Sequence, residues 1–277
     1  MILVTGATGN IGRALLTELH ARGAGPVRGL TRDAARAAFH GTAEVVEGDL
    51  AEPASWEPAL EGVRSLFLPS GLGPDADILA AARRAGVRHV VLVSSITVRT
   101  HPHLDPARQH TAVEHMLEES GMAWTILRPT QFASNALMWA DTIRAHGTVR
   151  APYPDVALPT IHPADIAAVA RTVLTEPGHQ GRTYALTGPE PVTARQQAGA
   201  IAAALGREVP FAGISRQEAY ARMAAVFGDD AADAVLDVTG GDVNDELLRV
   251  RDTVAQITGS PARTFRQWAE ENVAAFR

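Results

Sequence analysis

Thr5-Gly6-Ala7-Thr8-Gly9-Asn10-Ile11-Gly12 follows an apolar run, Ile2-Leu3-Val4, and leads into a segment whose apolar residues recur at helical spacing. Three glycines between a strand and a helix have three different steric tasks. Gly6 permits the tight turn out of the strand, Gly9 lets a ligand come close to the backbone, and Gly12 lets the helix pack near the strand. The unpaired amides of the helix's first turn then face whatever occupies the turn, and the helix dipole favours an anion there. A glycine triplet is a weak signal in a chain with 24 glycines. Its position between the first strand and the first helix makes it specific, and it reads as a cradle for the pyrophosphate of a dinucleotide. Gly6, Thr8, Gly9, Asn10, Ile11 and Gly12 are assigned to that cradle.

Outward from the motif, short apolar runs alternate with helical patterns. Ile2 to Thr5, Val27 to Leu30, Glu44 to Glu47, Ser65 to Leu68, His89 to Val93 and Trp124 to Leu127 read as strands. Ile11 to Ala21, Ala34 to Phe39, Trp56 to Leu60, Ala76 to Ala85 and Thr111 to Glu119 read as helices. Strands that are apolar nearly throughout and alternate with helices indicate a parallel sheet covered on both faces. Right-handed crossovers then give an α/β, Rossmann-type doubly wound sheet. After Pro129 the pattern loosens. Met138 to His146 and Ala164 to Leu174 read as helices and Arg182 to Leu186 as a late strand, and the remainder is helical and alanine-rich. The expected organisation is a dinucleotide-binding domain over residues 1–130, with 160–186 returning to it. A smaller, mostly helical lobe takes 131–159 and 187–277 and serves the substrate.

About 20 residues past the glycines, the second strand ends at Leu30-Thr31-Arg32-Asp33. An acidic side chain there selects NAD through the ribose 2′-hydroxyl, whereas an arginine accepts a 2′-phosphate. Arg32 favours NADP(H) over NAD(H), and Asp33 is better placed as the N-cap of the next helix. Asp49 and Leu50, after the third strand, fall beside the adenine. Ligands in such sheets lie beyond the carboxyl ends of the strands, which brings Pro69, Ser94 and Pro129 to the nicotinamide. Phe132, Asn135 and Trp139 are the candidates for the substrate pocket above it.

Composition narrows the chemistry. With 277 residues, 46% of them hydrophobic, the chain can bury one large core and a smaller satellite. A net charge of -6 argues against a nucleic-acid partner. No apolar run approaches the roughly 18 residues a spanning helix needs, so no membrane is expected. The first residues show no basic or apolar leader segment and there is no cysteine, which fits a cytoplasmic protein. There is no lysine either; all 25 Lys+Arg residues are arginine. That excludes a Schiff-base enzyme, a Walker-type phosphate lysine and a lysine-assisted tyrosine acid, because a guanidinium stays protonated at any working pH. The partner implied is a small-molecule substrate, met by a monomer or homodimer, with no metal.

Taken together, the glycine motif, Gly48-Asp49-Leu50, Val93-Ser94-Ser95, Thr125-Ile126-Leu127-Arg128-Pro129 with Phe132 and Asn135, and Tyr184-Ala185-Leu186-Thr187-Gly188-Pro189 resemble the NmrA-like branch of the atypical short-chain dehydrogenases/reductases. The resemblance spans nearly the whole chain. It implies NADPH-dependent reductases of quinones and triphenylmethane dyes, isoflavone-type reductases, or redox-sensing regulators without turnover. The wider superfamily places a Ser/Thr after the fifth strand and Tyr-x-x-x-Lys on the next helix. Ser95 matches the first position. Aligning the helix through Glu118-Glu119-Ser120-Gly121 puts His110 at the tyrosine position and Glu114 at the lysine position.

Histidine, with an unperturbed pKa of about 6.5, suits proton donation near neutrality, and Glu114 one turn on is placed to orient it or raise its pKa. The competing reading of His110 is a solvated residue near a helix start. His101 and His103, in a Pro-containing loop, read as surface residues. The leading expectation is an NADPH-dependent reductase of a conjugated small molecule, of quinone, enone or imine type. The alternatives are a non-catalytic NADP(H)-sensing regulator and a non-redox cyclase or isomerase on the same fold.

Overall fold

Ile2, Leu3 and Val4 are all buried, alternating between the two faces of the sheet they anchor as β1 (Ile2–Val4). The computed structural model describes residues 1–35, 37 and 43–277. The helix expected over Ala34 to Phe39 falls mostly outside them. Further strands are β2 (Val27–Thr31), β3 (Glu44–Glu47), β4 (Ser65–Pro69), β5 (His89–Val93) and β6 (Ala123–Pro129). Two short strands, β7 (Val149–Ala151) and β8 (Ala157–Leu158), precede the last strand of the main sheet, β9 (Arg182–Leu186). That sheet has seven strands in the order β3-β2-β1-β4-β5-β6-β9, and every adjacent pair is parallel. The order reverses between β1 and β4, so the ligand crevice belongs beyond their carboxyl ends.

Helices cover both faces. On one side α1 (Asn10–Ala21) packs Leu15, Leu16 and Leu19 against Val4, Phe67 and Val91. On the other lie α2 (Pro53–Trp56), with a 3₁₀ turn over Glu57–Leu60, and α3 (Asp75–Arg84). A short α4 (Thr97–Thr100) leads to α5 (Asp105–Glu119), whose Val113 and Leu117 share the core of that face with Leu3, Leu66 and Leu92. Periodicity of apolar residues starts α5 at Thr111, but the helix begins six residues earlier. Pro106 occupies its first turn, where a missing N–H costs nothing. His110 therefore lies within the helix, not near its start.

The smaller lobe begins with a 3₁₀ turn over Ala133–Trp139 and α6 (Ala140–His146), the segment in which the sequence shows one helix from Met138. Then α7 (Pro163–Thr175) returns to the main sheet beside α1. Four short strands the sequence reading passed over pair in the lobe: β7 runs parallel to β11 (Phe211–Gly213), and β8 antiparallel to β10 (Val192–Thr193). The lobe's remaining helices are α8 (Ala194–Leu205), α9 (Arg216–Phe227), α10 (Asp229–Leu236) and α11 (Asp245–Leu248). Last come α12 (Thr253–Thr258) and α13 (Phe265–Glu271). Phe265, Trp268 and Phe276 centre the lobe's own core, with Ile143 and Ile201. The stretch 187–277 is not confined to the lobe, because Val254 of α12 packs in the core beneath the main sheet. Among the described residues no helix is long and apolar enough to cross a membrane.

Candidate functional site

A cleft of about 460 Å³ lies over the carboxyl ends of β1, β2 and β4, at the switch point. Its floor is the glycine turn: Gly6, Thr8, Gly9, Asn10, Ile11 and Gly12 all line it. Gly6 adopts φ +61°, which a side chain rarely permits. A Cβ on Gly12 would stand 2.2 Å from the Gly6 carbonyl oxygen, so this glycine is required for helix and turn to approach. At the α1 N-terminus Gly9 offers no capping side chain, and the first turn holds no acidic residue. The amides there remain available to an anion, with no fixed negative charge to oppose it. The cradle fits the pyrophosphate of a dinucleotide.

The adenosine end of the cleft is formed by Leu30, Thr31, Arg32, Gly48, Asp49 and Leu50. Arg32 is exposed, with no ion pair or hydrogen bond among the described residues, which suits a guanidinium awaiting a phosphate. The Thr31 hydroxyl is turned toward Asp33, accepting its backbone N–H at 3.3 Å. Asp49 Oδ1 accepts the Ala51 N–H at 3.0 Å, which fixes the carboxylate at the cleft wall. Toward the other end, Pro69 and Phe132 line the cleft as read from the sequence, together with Gly71 and Leu72, which carried no sequence signal. Leu72 is 49% exposed and overhangs Gly6: a Cβ there would meet its Cδ1 at 2.8 Å.

Other candidates lie off the cleft. Ser94 is buried, with an Oγ that has no hydrogen-bond partner, and Pro129 is buried with its carbonyl accepting the Ile96 N–H. Ser95 Oγ accepts the Thr97 hydroxyl at 2.9 Å. Asn135 is exposed on the 3₁₀ turn, and Trp139 packs into the lobe core, so neither lines this cavity. His101 is not a surface residue. It is fully buried, its Nε2 2.7 Å from the Asp242 carbonyl, and so helps dock the lobe onto the segment after β5.

His110 is half-buried on α5, and its Nδ1 is sealed with no partner. Burial pushes its pKa below the ordinary histidine range; Glu114 and Asp75 act in the opposite direction without overcoming it. Glu114 does not hold the imidazole. Its oxygens accept Nε of Arg128 at 2.9 Å and Nη2 of the same guanidinium, an ion pair with the carboxylate 3% exposed. The expectation that Glu114 orients His110 therefore gives way: β6 supplies a planar fork that matches the carboxylate better than an imidazole one turn away. Sequence reasoning missed Asp75, because Ser70 and Asp75 flank a loop with no periodicity. Asp75 Oδ2 accepts Ser70 Oγ at 2.8 Å and the Gly71 N–H at 2.9 Å. None of the tyrosines replaces the missing acid: Tyr184 bonds His179, Tyr220 bonds Asp229, and Tyr153 lies beside Gly240 in the lobe.

A doubly wound sheet with an open glycine turn at its switch point defines a dinucleotide-binding protein. Comparison with known proteins narrows the class. A family model described as NAD(P)H-binding matches residues 6–177, and the chain belongs to that family. The fold is shared with NmrA, a negative transcriptional regulator solved in complex with NADP, which superposes with a TM-score of 0.72 at 20% identity, covering 99% of this chain and 95% of that one. A (4-alkanoyl-5-oxo-2,5-dihydrofuran-3-yl)methyl phosphate reductase of Streptomyces griseus is 40% identical over 100% of this chain and 99% of its own. An NAD(P)H azoreductase of Xenophilus azovorans is 36% identical, with the same shares covered. The structure of an NADPH-dependent quinone oxidoreductase of Escherichia coli complexed with NADPH superposes with a TM-score of 0.79 at 28% identity, covering 98% of this chain and 99% of that one.

Proposed function

We propose that this protein is an NADPH-dependent reductase that delivers hydride to a conjugated small molecule of quinone, enone or imine type. The observation that carries the reading is an intact dinucleotide cradle, in a chain whose half-buried His110 stands, by the resemblance, at the position where the superfamily has tyrosine. NADPH, when bound, supplies a hydride, and the acceptor takes up that hydride and one proton. This chain's residues divide the remaining work. Gly6, Gly9 and Gly12 shape the phosphate seat, the α1 amides hold the charge, and Arg32 selects the 2′-phosphate. Pro69 and Phe132 wall the nicotinamide end, and His110 holds the proton.

Hydride addition to a simple ketone leaves a strongly basic alkoxide, which gains most from a positioned acid such as the absent tyrosine. In a quinone, an enone or an imine the developing charge is spread or neutralised, so a weaker acid suffices. Relatives named as a (4-alkanoyl-5-oxo-2,5-dihydrofuran-3-yl)methyl phosphate reductase, an NAD(P)H azoreductase and a quinone oxidoreductase support an acceptor with a conjugated multiple bond. The reading carries a small-molecule partner, no nucleic acid, a cytoplasmic setting and a monomer or homodimer.

A panel of acceptors, followed by NADPH oxidation, tests it. Small quinones or conjugated enones should be consumed and simple aliphatic ketones turned over far more slowly. Tight NADPH binding with no acceptor consumed would favour a sensor of the NADP(H) pool, the reading that the missing tyrosine and lysine otherwise support. Fast aliphatic-ketone reduction would defeat the charge-delocalisation argument.

A further inference from the structure

Three sealed side-chain atoms without a hydrogen-bond partner belong to the ends of β4 and β5 and the helices beside them: Asp75 Oδ1, Ser94 Oγ and His110 Nδ1. A hydroxyl can rotate to find a partner, whereas a carboxylate oxygen and an imidazole nitrogen cannot. Buried polar atoms of this kind are normally satisfied by each other or by an ordered water. The carboxylate and the imidazole are of complementary type and belong to packed helices, α3 and α5. Asp75 is only 8% exposed, and its other oxygen is fixed by Ser70 Oγ and the Gly71 N–H, so the direction of Oδ1 is preset. Gly71 itself lines the cofactor cleft. An ordinary role for Asp75 at the start of α3 accounts for Oδ2 and leaves the sealed Oδ1 unexplained.

We propose that Asp75 is the positioning residue for His110: its Oδ1 takes the imidazole Nδ1–H through one buried water, and leaves Nε2 as the nitrogen that carries and gives the proton. The assignment rests on the reductase reading, because it makes His110 the source of the acceptor's proton. In the transfer the Nε2–H bond breaks as the acceptor's new O–H or N–H bond forms, while the hydride brings the electron pair. The imidazolium becomes a neutral imidazole that keeps Nδ1–H on Asp75, and solvent restores the proton at Nε2.

Nε2 is not among the sealed atoms, which leaves it open to that exchange. Glu114 cannot serve instead, since Arg128 of β6 occupies both its oxygens. The remaining charges on elements packed against α5 are paired or exposed: on α3, Arg84 pairs with Glu57 at 3.1 Å, and Asp77 and Arg83 are exposed. Arg99 of α4 pairs with Glu246 at 2.9 Å. On α10, Asp233 pairs with Arg216 and Asp229 accepts the Tyr220 hydroxyl, and Asp230 is exposed.

The test is Asp75→Asn, whose amide oxygen can still accept from Ser70 and Gly71. Nitrogen-detected NMR of the cofactor-free protein should show the His110 titration midpoint falling by about one pH unit, roughly tenfold in proton affinity. The neutral tautomer should lose its preference for Nδ1–H. With NADPH and a conjugated acceptor, kcat should fall about tenfold and its alkaline limb, where the donor is lost, should move down with the NMR midpoint, while NADPH binding is unchanged. In a His110→Gln background the same substitution should cost nothing more. An unchanged midpoint and tautomer, or a full further loss in that background, would overturn the pairing. A shifted midpoint in a protein that reduces no acceptor would instead overturn the reductase reading and keep the pairing.

Discussion

Arg32 stands exposed at the end of β2, on the wall of the cleft and unpaired among the described residues, while its neighbour Thr31 is turned toward Asp33. A guanidinium so placed gains its partner only when a 2′-phosphate arrives, and charge-assisted contacts of this type contribute about 1.5–3 kcal/mol. Arg32→Ala should therefore weaken NADPH binding at least tenfold and leave NADH binding nearly unchanged. Calorimetry with both dinucleotides checks this, and equal losses for the two would reverse the cofactor preference. The same reasoning explains why the cofactor half of the site was legible at the level of single residues. A glycine that must lack Cβ, or an arginine at a strand end, is specified by local backbone and sequence distance. The proton-donor half depends on which side chains meet across the fold. Glu114 and Arg128 are 14 positions apart and on different elements, so spacing along one helix showed the carboxylate whose charge acts on His110 but not the arginine that takes its hydrogen bonds.

The helix α5 and the strand β6 are fastened by the Glu114–Arg128 pair, with the carboxylate 3% and the guanidinium 18% exposed. Removing one partner of a buried ion pair leaves the other charge uncompensated and typically costs about 3–5 kcal/mol. Glu114→Ala should lower stability by that amount, read from the urea midpoint at constant slope, and loosen the segment carrying His110. A loss under about 1 kcal/mol would show Arg128 finding water instead. At this scale the sequence was read well where burial was two-sided: β1, β4 and β5 stand out as apolar runs because both faces are covered by helices, whereas the edge strands β3 and β9 are largely exposed or half-buried. It was read poorly where elements were too short to show a period. The two- and three-residue strands β7, β8, β10 and β11 carry no alternation, and the start of α5 is polar, so its first six residues were missed. His101 belongs with these: the loop that carries it looked solvated only because the lobe segment that buries it, at Asp242, lies far along the chain.

Acid should loosen the whole molecule through three histidines on three elements. His89, His110 and His162 are all held below the ordinary histidine range, with burial the main cause in each. At His89 the Thr125 hydroxyl gives its proton to the His179 carbonyl, so the imidazole Nε2 donates to Thr125 Oγ1, 3.0 Å away. At His162 Nδ1 accepts the Ala164 N–H as the N-cap of α7, while Nε2 faces Glu271 of α13 at 3.1 Å. Protonating His162 removes the lone pair that caps α7, where the lobe meets the main sheet, and loss of a cap costs about 1 kcal/mol. A base whose proton affinity falls on folding is protonated first in the unfolded chain. The unfolded chain then binds more protons, and stability rises with pH. The contribution is complete above the unfolded value of about 6.5 and is lost as pH falls from there through the lower folded values. The urea midpoint should thus be level near neutrality and decline as pH drops below about 6.5, before the carboxylates, near 4, begin to titrate. Glu271 partly offsets the burial of His162, so Glu271→Gln should depress that histidine further and steepen the decline. A midpoint that stays flat between about pH 7 and 5 in both proteins would mean that the folded chain accepts these protons without cost, and burial would not be the controlling influence.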